Sequence, residues 1–163
     1  MHRFVTQGWV FAIVLVTCSE WNQSVIAQVA TEKVVAPVVT AQQIRDLQLD
    51  ESKTGKFIVV DVRSPAETEV SVIPGAITKA QFERESKKYG NRAIIVYCTV
   101  GARSATYANG LKQKGWNAWN YKGSILDWCK HQFPLTTLDG VPTKRVHTYS
   151  IWYRVPRQYE AVR

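Results

Sequence analysis

The hydrophobic pattern of this chain breaks into short apolar runs separated by polar stretches of helical character. Residues 57–62 (Phe-Ile-Val-Val-Asp-Val) are apolar except for Asp61 near the end, and residues 94–97 (Ile-Ile-Val-Tyr) are apolar throughout. Continuous β-branched runs of this length predict strands buried on both faces, not strands with one wet side. Shorter runs at 38–39, 76–77 and 117–121 predict further strands. The stretches between them read as helices: from Thr40, a suitable N-cap, through Leu47; across the charged residues 79–89, ended by Gly90-Asn91; from Ser104 to Lys114, ended by Gly115; and from Ser124 to His131. Residues 50–56, which hold Gly55, and the pair Pro74-Gly75 read as turns. Strands alternating with helices predict an α/β domain whose central parallel sheet is covered by helices on both faces.

The two ends depart from this pattern. His2 and Arg3 precede an apolar run from Trp9 to Val16 that is too short to span a bilayer and fits the h-region of a secretory signal peptide. Val25-Ile26-Ala27 carries suitable residues before Gln28, so residues 1–27 are expected to direct export to the periplasm or another extracytoplasmic space and then to be removed. Leu15-Val16-Thr17-Cys18 resembles a lipobox, although Thr17 stands where Gly, Ala or Ser is usual. In that alternative one lipid on Cys18 would tether the protein to a membrane. Residues 28–37 read as a linker, 38–142 as the folded domain and 143–163 as a basic, aromatic C-terminal extension. Lys144, Arg145, His147, Tyr149, Trp152, Tyr153, Arg154, Arg157 and Tyr159 give that extension its character. Such a mixture is expected to lay its aromatics on the domain with its cations outward. The alternative is a site for an acidic partner or an anionic membrane surface.

Composition narrows the function classes. A chain of 163 residues with 45% hydrophobic content suits one domain with appendages. The net charge of +8 comes from scattered cations, among them Lys79, Arg84, Lys87, Lys88, Arg92, Lys112, Lys114, Lys122 and Lys130. That distribution describes a solvated surface able to steer small anions. No nucleic-acid motif or basic-aromatic module accompanies it, so nucleic acid is not an expected partner. The cysteines (18, 98, 129) and histidines (2, 131, 147) lack metal-ligand spacing, and the cysteines are too few for a disulfide scaffold. Cys129 follows Trp128 within a helical stretch and reads as a packed residue, and a Cys98–Cys129 disulfide would cap the more interesting thiol. His131 and His147 read as surface or cap residues. Neither a metal nor an organic cofactor is implied.

Candidate chemistry sits at Cys98, between the end of the 94–97 strand and the helix that follows. An isolated cysteine would read as a small core residue. Here the strand–loop–helix setting surrounds the sulfur with unpaired backbone N–H groups and the positive end of a helix, which stabilise a thiolate. The expected cradle is Thr99, Val100, Gly101, Ala102, Arg103 and Ser104: Gly101 and Ala102 let the backbone curl, and Arg103 adds a fixed charge that holds an anion or braces the loop. Asp61 and Arg63 end the neighbouring strand on the same sheet edge and are expected to support the site through an ion pair or loop tie. A carboxylate beside the sulfur would raise the thiol pKa, so Asp61 is expected to engage Arg63 or backbone N–H groups.

At these residues the sequence resembles the rhodanese (sulfurtransferase) family. Cys98, Gly101 and Arg103 match the family's active-site loop. Asp61-Val62-Arg63 followed by Glu67 and Ile73-Pro74-Gly75-Ala76 matches its early motif, and Gly123 with Trp128 its late one. Two departures, Ser71-Val72 and Lys122, concern turns and packing. The resemblance covers about residues 38 to 142 and implies a three-layer rhodanese-like fold. It also implies transfer of a sulfane sulfur from thiosulfate or a related anion, through a Cys98 persulfide, to cyanide or a thiol. The alternative from another class is a non-catalytic module that carries persulfide or binds a partner. Phosphatase loops ending in arginine place five residues between Cys and Arg, whereas here Thr99 to Ala102 make four, a cradle better sized for sulfur than for a tetrahedral oxyanion.

Overall fold

The computed structural model describes residues 34–163. The expected leader, its cleavage positions, Cys18 and the first part of the linker lie outside the described residues. Four strands, β1 (Phe57–Asp61), β2 (Ile77–Thr78), β3 (Ala93–Tyr97) and β4 (Ala118–Asn120), form one sheet in the order β2-β1-β3-β4. Every pairing in it is parallel. Val38 adds a parallel bridge to Asn120 at the β4 edge. The two continuous apolar runs are the two central strands, where both faces must be apolar. Their register sets Asp61 opposite Tyr97, so the ends of β1 and β3 meet beside Cys98.

The helices are α1 (Ala41–Leu49), α2 (Pro65–Thr68), α3 (Lys79–Arg84), α4 (Ala102–Gln113) and α5 (Ser124–Lys130). Alternation along β1 and β3 divides the core into two layers. Val59, Ile95 and Tyr97 pack with Ile44 of α1 and Ile125 and Trp128 of α5. Ile58, Val60, Ile94 and Val96 pack with Phe82 of α3 and Ala108 and Leu111 of α4. The result is the expected α/β sandwich with helices on both faces.

Several boundaries differ from the sequence pattern. Thr40 caps α1 through a capping box with Gln43, as expected, and the helix runs two residues beyond Leu47. The 79–89 stretch is not one helix: α3 stops at Arg84 and a 3-10 turn spans Ser86–Tyr89. A straight helix would separate Phe82 and Tyr89 by about 10 Å along its axis. Their rings instead stack at 5.9 Å in one core layer, which requires the chain to turn. Helix α4 begins at Ala102 and not at Ser104, because Gly101 serves as its N-cap at φ 99°. The short helix α2 was not expected.

Beyond α5, β5 (Leu135–Thr136) and β6 (Pro142–Thr143) pair antiparallel, and β7 (Arg145–His147) and β8 (Glu160–Val162) pair parallel. Strand β6 therefore crosses the position at which the sequence divides domain from extension. Val146 is fully buried in the layer that holds Trp128 and Leu135, and Val155 and Tyr159 pack against that layer. The Tyr159 hydroxyl donates to the Phe133 carbonyl at 2.6 Å. Val146→Ala should cost about 1–3 kcal/mol of unfolding free energy, by analogy with other large-to-small core changes. A shift in the urea midpoint would report it, and an unchanged midpoint would mean that the 143–163 segment docks without supporting the core.

Candidate active site

Tyr97 ends β3, and Cys98 follows at once. Two helix N-termini meet on the loop that Cys98 opens. At one, the Ile125 and Leu126 N–H groups of α5 donate to the Cys98 and Thr99 carbonyls, at 3.1 and 3.4 Å. These are helix N–H groups with no partner in their own helix, so they are available to hold the loop. At the other, α4 starts at Ala102, and the N–H of its third residue, Ser104, faces the sulfur. Gly101 makes the turn possible for two reasons. Its φ of 99° suits glycine, and a Cβ there would lie 2.1 Å from the Lys122 carbonyl oxygen.

The sulfur is nearly buried, with Cys98 1% exposed. The Gly101 N–H donates to Sγ at 3.1 Å, and the Ser124 hydroxyl lies 3.8 Å from it. Ser124 also accepts the Cys98 N–H at 3.1 Å and donates its single proton to the Tyr121 carbonyl in the tighter contact of 3.0 Å. Burial pushes the Cys98 thiol up, but the Ser104 and Gly101 backbone N–H groups outweigh it and hold the thiol below its ordinary range. Cys129 shows burial acting with little opposition: its thiol is pushed up to about 12, with only a partial offset from Arg63.

Arg103 braces the loop. It pairs in a two-pronged fork with Glu67, Nη1 to Oε2 and Nη2 to Oε1, both at 2.8 Å, and Nη2 also donates to Thr99 Oγ1 at 2.8 Å. Thr99 in turn donates to Glu67 Oε1 at 2.7 Å. Glu67, only 2% exposed, receives the Ser64 N–H and hydroxyl as well, because it is the third residue of α2 and closes that helix's capping box. Burial alone would raise the Glu67 carboxyl. Hydrogen bonds from Arg103, Ser64 and Thr99 more than reverse this and hold it well below the usual carboxylate range. The outer face of the Arg103 guanidinium is met by the Tyr149 ring, 5.7 Å away.

Asp61 and Arg63 form a second, separate pair whose side chains are both fully buried, at 2.7 Å. Asp61 accepts the Arg63 N–H as well, and Arg63 Nη2 donates to the Ser71 carbonyl at 2.6 Å. Burial opposes the guanidinium charge, and the Asp61 carboxylate overcomes that and holds Arg63 above its ordinary range. This pair ties the end of β1 to the turn before β2 and lies beneath Tyr97, whose hydroxyl accepts the Ile73 N–H. It is a loop tie that makes no hydrogen bond to the Cys98 sulfur.

The expected cradle thus divides by role. Gly101 and Ser104 face the sulfur. Thr99 and Arg103 face Glu67. Val100 and Ala102 are exposed, and neither has a side-chain hydrogen bond to give. The sequence reading placed Glu67 within a motif but not in the site, and it missed Ser124. The Ser64–Glu67 spacing, with Pro65 at the first helical position, is a legible capping signal. Ser124, at φ 59° and fully buried, had none. Among the described residues no three His, Cys, Asp or Glu side chains converge as a metal site would require.

The parallel sheet between two helical layers, with a cysteine loop at the C-terminal end of a central strand, defines a class of protein that comparison makes specific. The family model for the rhodanese-like domain matches residues 40–131, and the chain belongs to that family. A sulfurtransferase from Allochromatium vinosum is 32% identical over 53% of this chain and 85% of its own length. A probable adenylyltransferase/sulfurtransferase from Mycobacterium tuberculosis is 31% identical over 68% of this chain but only 29% of its own length. The crystal structure of a thiosulfate sulfurtransferase from Pseudomonas aeruginosa aligns with TM-score 0.55 and 14% identity over 68% of this chain and 21% of that one, a likeness of fold alone.

Two outcomes follow from this geometry. Alkylation of the native protein should label Cys98 with a pH midpoint below the ordinary thiol value of about 8.5, while Cys129 stays unlabelled at neutral pH. Mass mapping checks both, and equal labelling of the two would refute the cradle. Glu67→Gln should destabilise the fold at neutral pH by about 1–3 kcal/mol, less than a fully buried pair because the Arg103 side chain is 41% exposed. The folded Glu67 carboxyl lies below its unfolded value of about 4.3. Its contribution is therefore complete above that pH and is lost as pH falls through the folded value. Urea midpoints of the two proteins should converge on acidification.

Proposed function

We propose that the protein moves a sulfane sulfur from thiosulfate or a related donor to a thiophilic acceptor through a persulfide on Cys98. Family membership and the sulfurtransferase relatives support a sulfur-transfer role in general. The observation that carries the finer reading is the environment of Sγ: an almost buried thiol held below its ordinary pKa by N–H donors. Lowering the pKa raises the share of thiolate, the nucleophilic form of cysteine. The Cys98 thiolate attacks the outer sulfur of the donor, the donor's S–S bond breaks, and sulfite leaves with the electron pair. The persulfide keeps its charge on the outer sulfur, near the α4 N-terminus. Cyanide or a thiolate then attacks that sulfur, and the electron pair of the breaking bond returns to Cys98. Burial of Cys98 strengthens the hydrogen bonds to its sulfur.

One observation favours the carrier reading as a second. Arg103 directs both arms of its fork at Glu67 and Thr99, which limits its use in holding an anionic donor. Under either reading Arg103 acts by positioning the loop. We further propose export, with maturation near Gln28 or lipidation at Cys18, from the pattern of residues 1–27.

Incubation with thiosulfate should add one sulfur atom to the wild-type protein, and cyanide should remove it as thiocyanate. Cys98→Ser should abolish both, and Cys129→Ser should leave both within about twofold. Adduct without turnover would select the carrier reading, and no adduct at all would sink both. Arg103→Lys should lose about tenfold in turnover, since one ammonium cannot span two carboxylate oxygens. Unaltered thiosulfate kinetics in that variant would remove Arg103 from the site.

A further inference from the structure

The C-terminal segment returns to the active-site rim. Strand β7 packs beside α2, the helix that carries Glu67, and Tyr149 just beyond β7 lies on Arg103, the partner of Glu67. The helix that carries Glu67 and the guanidinium of Arg103 therefore both lie beside this segment. Its path is fixed from within: Val146 and Thr148 are fully buried. Tyr149, at φ 65°, donates its N–H to His147 Nδ1 at 3.1 Å, and the turn is closed by Ser150 N–H to the Thr148 carbonyl at 2.7 Å and Tyr153 N–H to the Ser150 carbonyl at 3.2 Å. From this anchored turn Tyr149, Ile151 and Trp152 project into solvent, at 69%, 61% and 83% exposure. Lys144, Arg154 and Arg157 of the same segment are exposed, Arg154 two residues from Trp152, and among the described residues none of the three forms an ion pair. Glu160, the one carboxylate side chain in residues 143–163, is paired with Arg145 at 3.7 Å.

We infer that this turn is a docking surface for a protein thiol acceptor whose acidic surface surrounds an apolar contact, an inference that rests on the sulfur-transfer reading above. Exposed large apolar side chains clustered beside a functional site mark interaction surfaces. Unpaired cations in the same segment, and the near absence of carboxylates from it, select an acidic partner and speed its approach. The position excludes a bilayer as the better occupant: a membrane seated on Tyr149 would cover the rim over Cys98, whereas a docked protein delivers its thiol there. In the step served, the partner thiolate attacks the outer sulfur of the Cys98 persulfide. A new S–S bond forms on the partner, the old one breaks, its electron pair returns to Cys98, and no oxidant or reductant is consumed.

The test uses two labelled peptides of equal length, each with one cysteine beside leucines, one flanked by Asp and Glu and the other by Lys. Fluorescence anisotropy on the full-length Cys98→Ser protein reads docking without transfer, and sulfur release from the thiosulfate-loaded wild type reads transfer, with 2-mercaptoethanol as the small acceptor. The acidic peptide should bind and accept sulfur about tenfold better than the basic one, with the advantage shrinking as salt rises. Trp152→Ser with Arg154→Ser should erase that advantage while the 2-mercaptoethanol rate stays within about twofold. Equal binding of the two peptides, or an advantage that survives the double substitution, would overturn the docking surface. So would patch-dependent binding to vesicles of anionic phospholipid, or a patch-dependent dimer in sedimentation. Preferential docking of the acidic peptide with no transfer even to 2-mercaptoethanol would uphold the surface and overturn the sulfur-transfer reading instead.

Discussion

The buried carboxylate of Glu67 locks together two segments that the pairing of β1 with β3 brings side by side. It accepts the N–H of its own helix start at Ser64 and the hydroxyl of Thr99, and it receives both prongs of Arg103. A carboxylate taken out of water is stable only when its lone pairs are filled, and here they are filled from two segments. The short helix α2 and the Cys98 loop are thereby joined at one point. A four-residue helix has little stability of its own. Its persistence depends on the same ion pair that keeps the loop in shape.

With the loop so held, the chemistry of the sulfur becomes a contest between two environments. Burial disfavours a thiolate, and at Cys129 burial wins. At Cys98 the same penalty is overturned by N–H groups aimed at Sγ, a consequence of placing the cysteine where two helices begin. The α5 N-terminus takes the loop carbonyls, which leaves the loop's own N–H groups free to face the sulfur. Electrostatic work is thus divided: α5 grips the loop, α4 stabilises the charge, and the Arg63–Asp61 pair supports the floor without touching the sulfur.

The C-terminal segment shows how a stretch that looks peripheral enters a site. Its apolar anchors, Val146 and Tyr159, bury in the same layer as Trp128, so the chain between them passes over the rim near Arg103. The aromatics left exposed there are those between the anchors, where the backbone is turned outward.

How much of this was legible depends on how local its cause is. The two central strands were readable because burial on both faces demands unbroken β-branched runs at 57–62 and 94–97. The place of Cys98, the N-cap at Thr40 and the Asp61–Arg63 tie were readable from spacing within a few residues. The break in the 79–89 helix was not, because it comes from Phe82 stacking on Tyr89 inside a core that the pattern cannot assemble. Nor was the partner of Arg103, whose charge and place in the loop were evident but whose carboxylate lies 36 residues away. Ser124 and Tyr149 entered the site through long-range packing alone, 26 residues from Cys98 in one case and across the Arg103 face in the other. The sequence by itself determined the sheet, the place of Cys98 at its edge and the helix start behind it, since periodicity and backbone polarity act over short distances. Only tertiary structure decided which charges pair and which donors reach the sulfur, because those depend on distances between segments that meet only when the chain is folded.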